Sequence, residues 1–253
     1  MKYPLILFMA MVLFFASVAT AQEEPIPPKR AKMAKVGAVG GFTTSFLFMD
    51  MGPINDFLNG AKMGRPFSNG PVFMDGGAGA AYIIVVKNLR IGGIGMGGSR
   101  TVSVLDGATG IRRDATVKAG YGAVTVEYVV PLLQHLDFVG GAQLGTGGID
   151  LIVRKSNGAS MTWTGEQGTL ATDNLASGGS ITRTYSGKYF IWIPTVSVEY
   201  AFLGWAGIRV GASYLGMSSP SWKVDNNYDL LDVPSSVSGK GWTLNVALLL
   251  GTF

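Results

Sequence analysis

The stretch Val196–Gly216, VSVEYAFLGWAGIRVGASYLG, repeats the pattern of an earlier one, Val124–Gly145, VTVEYVVPLLQHLDFVGGAQLG. Both begin V-[TS]-V-E-Y, break at a short turn and return through V-G-x-x-x-L-G. In each first arm, apolar residues alternate with a hydroxyl residue and a glutamate, which is the period of a strand with one apolar face. Each stretch predicts a β-hairpin, and their repetition predicts an up-and-down antiparallel sheet.

The composition favours a membrane barrel over a soluble sandwich. Of the 253 residues, 47% are hydrophobic and only 14% are charged. After the first 21 residues no apolar run approaches the roughly 18 that a membrane-spanning helix needs. The apolar residues are instead spread over alternating positions, as in transmembrane barrels. The basic residues are scattered, so no nucleic-acid partner is expected. The chain has no cysteine, which excludes a disulfide scaffold and a thiolate metal site.

The first 35 residues differ in composition from the rest of the chain. Residues 1–21 combine Lys2, an apolar stretch and a final Ala-Thr-Ala, which predicts a cleavable signal peptide for export. Residues 22–35 are polar and contain prolines, which predicts a flexible tail. Residues 36–253 form the predicted barrel domain.

The barrel domain contains eight predicted strands, with the long loops 51–72, 156–184 and 218–237 at one end. If the alternating arms 161–164 and 181–184 pair as further strands, the count becomes ten. Long and short connections alternate, as in bacterial outer-membrane barrels. The strands are expected at 36–50, 73–87, 89–106, 112–130, 135–155, 185–202, 204–217 and 238–253.

A short amphipathic helix is predicted in the first long loop, at residues 53–60. Pro53 suits a first helical turn, Gly60 can end the helix, and Ile54, Phe57 and Leu58 share one face. Two placements remain open for this helix: in the barrel mouth as a plug, or on the rim.

Charged residues in the strands define the candidate site. If the apolar face meets lipid, Glu127, Glu199 and Arg209 point inside, and Arg90 and Lys118 are further candidates for the lumen. Charges inside a narrow barrel must be paired, so an ion network that fixes register is the first interpretation. A polar path for small solutes is the second, although eight strands leave little room for one.

Catalysis has little basis in the sequence. His135 is the single histidine, and it falls in a predicted tight turn. The loop carboxylates match neither a calcium loop nor a catalytic pair. No catalytic residue, cofactor or metal is therefore predicted, and the chain is not expected to be an enzyme.

The leader, the repeated hairpin and a final aromatic, Phe253, together resemble the small outer-membrane β-barrel proteins of the eight-stranded group. The resemblance covers residues 36–253 and carries no diagnostic motif. It implies an all-β, up-and-down transmembrane barrel in the bacterial outer membrane. It also implies contact with outer-membrane lipid and recognition of Phe253 by the barrel-assembly machinery.

The expected function is a non-enzymatic integral barrel with a structural or surface-interaction role. Two alternatives remain. One is a narrow pore for small solutes. The other is a soluble periplasmic barrel that binds an apolar ligand, in which the Trp242–Leu250 face would point inward.

Overall fold

The computed structural model describes residues 37–83, 85–156, 180–218 and 221–252, so the predicted signal peptide, the tail and Phe253 lie outside it. Among the described residues, no helix has the length and hydropathy that crossing a membrane requires. The elements in chain order are β1 (Ala38–Met49), α1 (Gly52–Gly60), β2 (Val72–Tyr82), β3 (Leu89–Leu105), β4 (Arg112–Leu133), β5 (Leu136–Ser156), β6 (Ile181–Leu203), β7 (Ala206–Met217), β8 (Ser221–Val224), β9 (Tyr228–Asp229) and β10 (Gly241–Gly251).

Eight strands close into an antiparallel ring, which confirms the predicted fold class. β1 to β7 follow one another, and β10 closes the ring between β7 and β1. The ring is staggered. When paired residues are followed from strand to strand around the ring, starting at Gly37 beside β1, the path returns to β1 at Leu47, ten residues further on. Such a stagger tilts the strands by about 40° and leaves an interior that side chains fill. The successive partners are Gly37, Tyr82, Arg90, Glu127, Gly141, Thr195, Ser213, Thr243 and Leu47.

One predicted connection is wrong. β2 ends at Tyr82, so the next connection is 83–88 rather than Asn88 alone. The apolar residues before Asn88 mimic a strand, but the chain turns there and Asn88 adopts a left-handed φ of 65°. This connection is as long as 106–111, so long and short loops do not alternate strictly. The three longest connections still join strand ends on one side of the ring, the long-loop end, and the two tight turns lie at the other.

The ten-strand alternative is also wrong. The arm 181–184 is the start of β6 and pairs directly with 152–155 of β5, which leaves no gap for two further strands. The other arm, 161–164, lies outside the described residues. β8 and β9 are additional strands, but they form a hairpin on the long-loop end of β6, outside the ring.

An aspartate in the turn ties this hairpin to β6. The Thr184 N–H donates a hydrogen bond of 3.0 Å to the Asp225 carboxylate. Arg183 forms an ion pair of 2.6 Å with the same carboxylate. These two contacts, the backbone N–H first, hold the pKa of Asp225 below its ordinary value.

Acid is expected to loosen the hairpin through Asp225. Because its folded pKa is lowered, the carboxylate stabilises the hairpin fully above its ordinary value of 3.8 and loses this effect as the pH falls through the lowered pKa. Hydrogen-exchange protection in β8 should therefore fall below about pH 4. Asp225→Asn should remove this pH dependence, whereas Asp229→Asn, which changes a carboxylate 4.0 Å from Lys223, should keep it. The same acid response in both variants would contradict the assignment.

β10 shows how each strand divides its side chains between two faces. Trp242 is 64% exposed and Leu248 is 52% exposed, whereas Thr243, Ala247 and Leu249, at the alternate positions, are buried. The predicted apolar face of β10 therefore points outward, as in a barrel surrounded by lipid. A soluble barrel around an apolar ligand requires the opposite orientation, so that alternative is wrong.

Outward-facing aromatic side chains form two groups near the two ends of the ring. The upper aromatic belt, toward the long-loop end, consists of Phe46, Phe48, Phe73, Phe190, Trp192, Tyr214 and Trp242. Its rings pack on one another, with centroids 5.3 Å apart for Tyr214 and Trp242. The group toward the tight turns consists of Tyr128, Phe138, Tyr200, Phe202 and Trp205. An apolar band between two aromatic belts is typical of barrels that cross a membrane.

The helix α1 closes the barrel at the long-loop end. Ile54 and Leu58 are buried in the apolar cluster that fills the upper interior, which favours the plug over the rim placement. The third predicted face residue is wrong: Phe57 is 45% exposed, and its ring lies against Tyr185. Asn55 is buried instead, because its amide exchanges two hydrogen bonds with the backbone of Phe67.

Leu58→Ala is expected to destabilise the protein by about 3 kcal/mol, since it leaves a cavity in the apolar cluster. Phe57→Ala removes a larger but half-exposed side chain and should cost less. The free energy of unfolding in detergent micelles, followed by tryptophan fluorescence, measures both. If Phe57→Ala proved the more damaging variant, α1 would lie on the rim.

Candidate functional site

Two register pairs bring four of the predicted charges together near the tight-turn end. Arg90 on β3 lies opposite Glu127 on β4. Glu199 on β6 lies opposite Arg209 on β7. All four side chains point inward, because they alternate with outward-facing apolar residues such as Val126. The strand register therefore builds the site without any loop.

These four residues, the charge cluster, are joined by ion pairs across the barrel. Arg90 contacts Glu199 through both of its terminal nitrogens, at 3.2 and 3.1 Å. Arg209 donates to Glu199 at 2.8 Å and to Glu127 at 2.8 Å. Arg90 also lies 3.3 Å from Glu127. Each arginine thus contacts both glutamates.

The charge cluster is deeply buried and formally neutral. The side chains of Arg90 and Glu199 are 1% exposed, and that of Arg209 is 16% exposed. Buried charges are tolerated when they are paired and hydrogen-bonded, and removing one partner leaves the other uncompensated. The ring of Tyr82 lies 5.4 Å from the Arg90 guanidinium and adds a cation–π contact.

Lys118, the fifth predicted lumen residue, is not in the interior. It lies on the outer face of β4, between the buried Val117 and Ala119. The prediction for Lys118 was wrong because Ala119, Gly120, Gly122 and Ala123 are small and only Tyr121 among the residues that follow marks a face. Tyr82 was not predicted to belong to the site. It lies opposite Arg90 at the end of β2, a position that only the strand register reveals.

A layer of hydroxyl and amide side chains lies above the charge cluster. A cavity of about 60 Å³ in this layer is lined by Thr43, Thr125, Gln143 and Asn245, and it reaches Arg209. The Thr43 hydroxyl and the Gln143 amide oxygen are buried and have no partner among the described residues. A polar cavity of this size can hold a few water molecules.

Apolar side chains fill the interior from this layer to the long-loop end. The wall contributes residues such as Met96, Ile149 and Ile191, and α1 contributes Ile54 and Leu58. From the tight turns upward, the described interior is therefore charged, then polar, then apolar.

The described residues include no group of three or more His, Asp or Glu side chains placed to hold a metal ion. His135 lies in the turn between β4 and β5, where its carbonyl accepts the Ala201 N–H. What the charge cluster can do chemically is fix strand register, balance charge or line a polar path.

Neither a protein-family model nor a curated protein matches the sequence. The solved structures that are similar in overall form include the following three. The N-terminal β-barrel domain of Pseudomonas aeruginosa OprF is 8% identical, with 87% of this chain and 99% of that chain covered and a TM-score of 0.36. Yersinia pestis Ail is 10% identical, with 86% and 100% covered and a TM-score of 0.36. Acinetobacter baumannii CarO2 is 11% identical, with 84% and 98% covered and a TM-score of 0.39.

Removing Arg90 is expected to be costly. Arg90→Met leaves two buried glutamates with a single arginine and should destabilise the barrel by about 3–5 kcal/mol. Adding Glu199→Gln should restore part of that loss, because the two residues form a direct pair. Lys118→Met removes the same charge from the outer face and should change the free energy of unfolding by less than about 0.5 kcal/mol. Strictly additive effects of Arg90→Met and Glu199→Gln in a double-mutant cycle would contradict the pairing.

Proposed function

We propose that this chain is a non-enzymatic integral β-barrel of the bacterial outer membrane with a structural or surface-interaction role. The observation that carries the proposal is the combination of an outward apolar surface with an interior filled by side chains. The apolar surface requires lipid around it. Because the interior is filled, the outer wall, the loops and the long-loop end are the parts that can interact with a partner.

The proposed orientation places the long-loop end outside the cell and the tight turns in the periplasm. β3 to β6 extend further toward the long-loop end than β1, β2, β7 and β10, since β4 and β5 remain paired as far as Arg112 and Ser156. This raised wall, α1 and the β8–β9 hairpin form the surface that an external partner would meet. Residues 1–21 are the proposed export signal, and Phe253 the proposed signal to the barrel-assembly machinery.

Single cysteines test location and orientation, because the natural chain contains none. Ala108 lies in the 106–111 connection and Gly204 in a tight turn, where an added Cβ meets no atom within 4 Å. In whole cells, an impermeant maleimide should label Ala108→Cys, and it should label Gly204→Cys only after the outer membrane is permeabilised. The protein should fractionate with the outer membrane and shift in gel mobility on boiling. Recovery as a soluble periplasmic protein, or the reverse labelling, would contradict the proposal.

A narrow pore is the second candidate, and the polar cavity beside the charge cluster is the observation that favours it. A pore requires the apolar layer above the cavity to open. It predicts discrete conductance steps in planar bilayers whose ion selectivity changes in Glu127→Gln. A closed structural barrel predicts no steps in either protein.

A further inference from the structure

Lys118 does not line the interior, so its charge on the outer face requires another explanation. It lies on the outer face near the level of the upper aromatic belt, and Lys188 on β6 faces outward nearby, between the buried Gly187 and Tyr189. Neither lysine has an ion pair within 4.0 Å among the described residues. At this level a transmembrane barrel meets lipid headgroups.

The upper aromatic belt is interrupted beside these lysines. Its members lie on β1, β2, β6, β7 and β10. On β3, β4 and β5 the outward positions at this level are Gly97, Gly120 and Gly148, which are direct neighbours in register. These three residues form a glycine surface. Lys188 continues the same row on β6, opposite Gly148.

The barrel itself does not require glycine at these positions. A Cβ at Gly97 would meet no atom within 4 Å. At Gly120 and Gly148 the nearest atom would be a carbonyl oxygen 3.3 Å away, a tight contact that requires a shift of a few tenths of an ångström. None of the three adopts a positive φ. Their effect is therefore on the outer surface, where they leave a smooth area in the aromatic belt.

The next row of outward positions toward the long-loop end is polar and contains Lys118. Ser99, Lys118, Asp150 and Ser186 are successive partners across β3 to β6. With a strand spacing of about 4.8 Å and a rise of about 3.3 Å per residue, the Cα atoms of Lys118 and Lys188 lie about 12 Å apart. Two four-carbon lysine stems can bring both ammonium groups to one phosphate across that distance. Two lysines against Asp150 leave a net positive charge.

We propose that this part of the outer wall binds the phosphate headgroup of an anionic, multiply acylated membrane lipid. Lys118 and Lys188 contact the phosphate, Ser99 and Ser186 supply hydroxyls, and the acyl chains lie against the glycine surface below. The proposal rests on the proposed membrane location. A second copy of this chain is a poor occupant, because a two-fold contact would bring the lysines of both copies together.

The test is native mass spectrometry of the folded full-length barrel in detergent, titrated with three separate probes. These are lipid A with two phosphates, phosphatidylcholine and inorganic phosphate. Wild-type protein should retain lipid A in preference to phosphatidylcholine. Lys118→Gln and Lys188→Gln should each weaken lipid A retention about fivefold, the usual effect of one basic residue at an anionic surface. Gly97→Leu should weaken it with both lysines intact, because its side chain occupies the acyl-chain surface.

The matched control is Lys240→Gln, an exposed lysine immediately before β10, which should leave retention unchanged. Lys118→Arg keeps the charge and should retain the lipid. Each variant is first checked for the mobility shift of a folded barrel, and wild-type protein that lacked this shift would contradict the membrane proposal itself. With folded proteins, equal retention of phosphatidylcholine, unchanged retention in both glutamine variants, or full displacement by inorganic phosphate would overturn the lipid site.

Discussion

Closure of the sheet is the constraint on which the rest of the structure depends. Once eight tilted strands form a ring, every inward position meets a narrow interior and every outward position meets the surroundings. Each of the eight strands of the ring pairs with a neighbour on both sides, and the period of two assigns each side chain to one side. The ion pairs, the polar cavity and the apolar wall of the upper interior are all consequences of which residues fall on the inward parity.

The three layers of the interior differ in polarity. In the charge cluster two arginines balance two glutamates, and Arg90 and Arg209 each contact both Glu127 and Glu199. The polar layer above it offers hydrogen-bonding groups around a cavity that reaches Arg209. The apolar layer and α1 separate this polar layer from the long-loop end. The side chains that fill the interior thus stabilise the barrel together with the β-hairpins.

Much of this arrangement can be predicted from the sequence, and what cannot depends on long-range register. The V-[TS]-V-E-Y repeat places Glu127 and Glu199 at matching levels because each lies a few residues from a tight turn. The position of Lys118 was wrongly predicted, because the residues that follow it are mostly alanine and glycine, with Tyr121 alone between them, and offer few apolar positions to count from. Asn55 was missed because its burial depends on the backbone of Phe67, a contact that helical periodicity does not reveal.

The central claim is that the alternating strands of a closed ring face lipid on one side and a filled interior on the other. Spin labels at successive cysteine-substituted positions of β10, in the protein reconstituted into lipid vesicles, test it most directly. The account predicts that residues 242, 244, 248 and 250 are accessible to oxygen dissolved in the bilayer. Residues 243, 247 and 249 should be protected from both oxygen and a water-soluble relaxation agent. The opposite parity, or accessibility of the even positions to the water-soluble agent alone, would contradict the account.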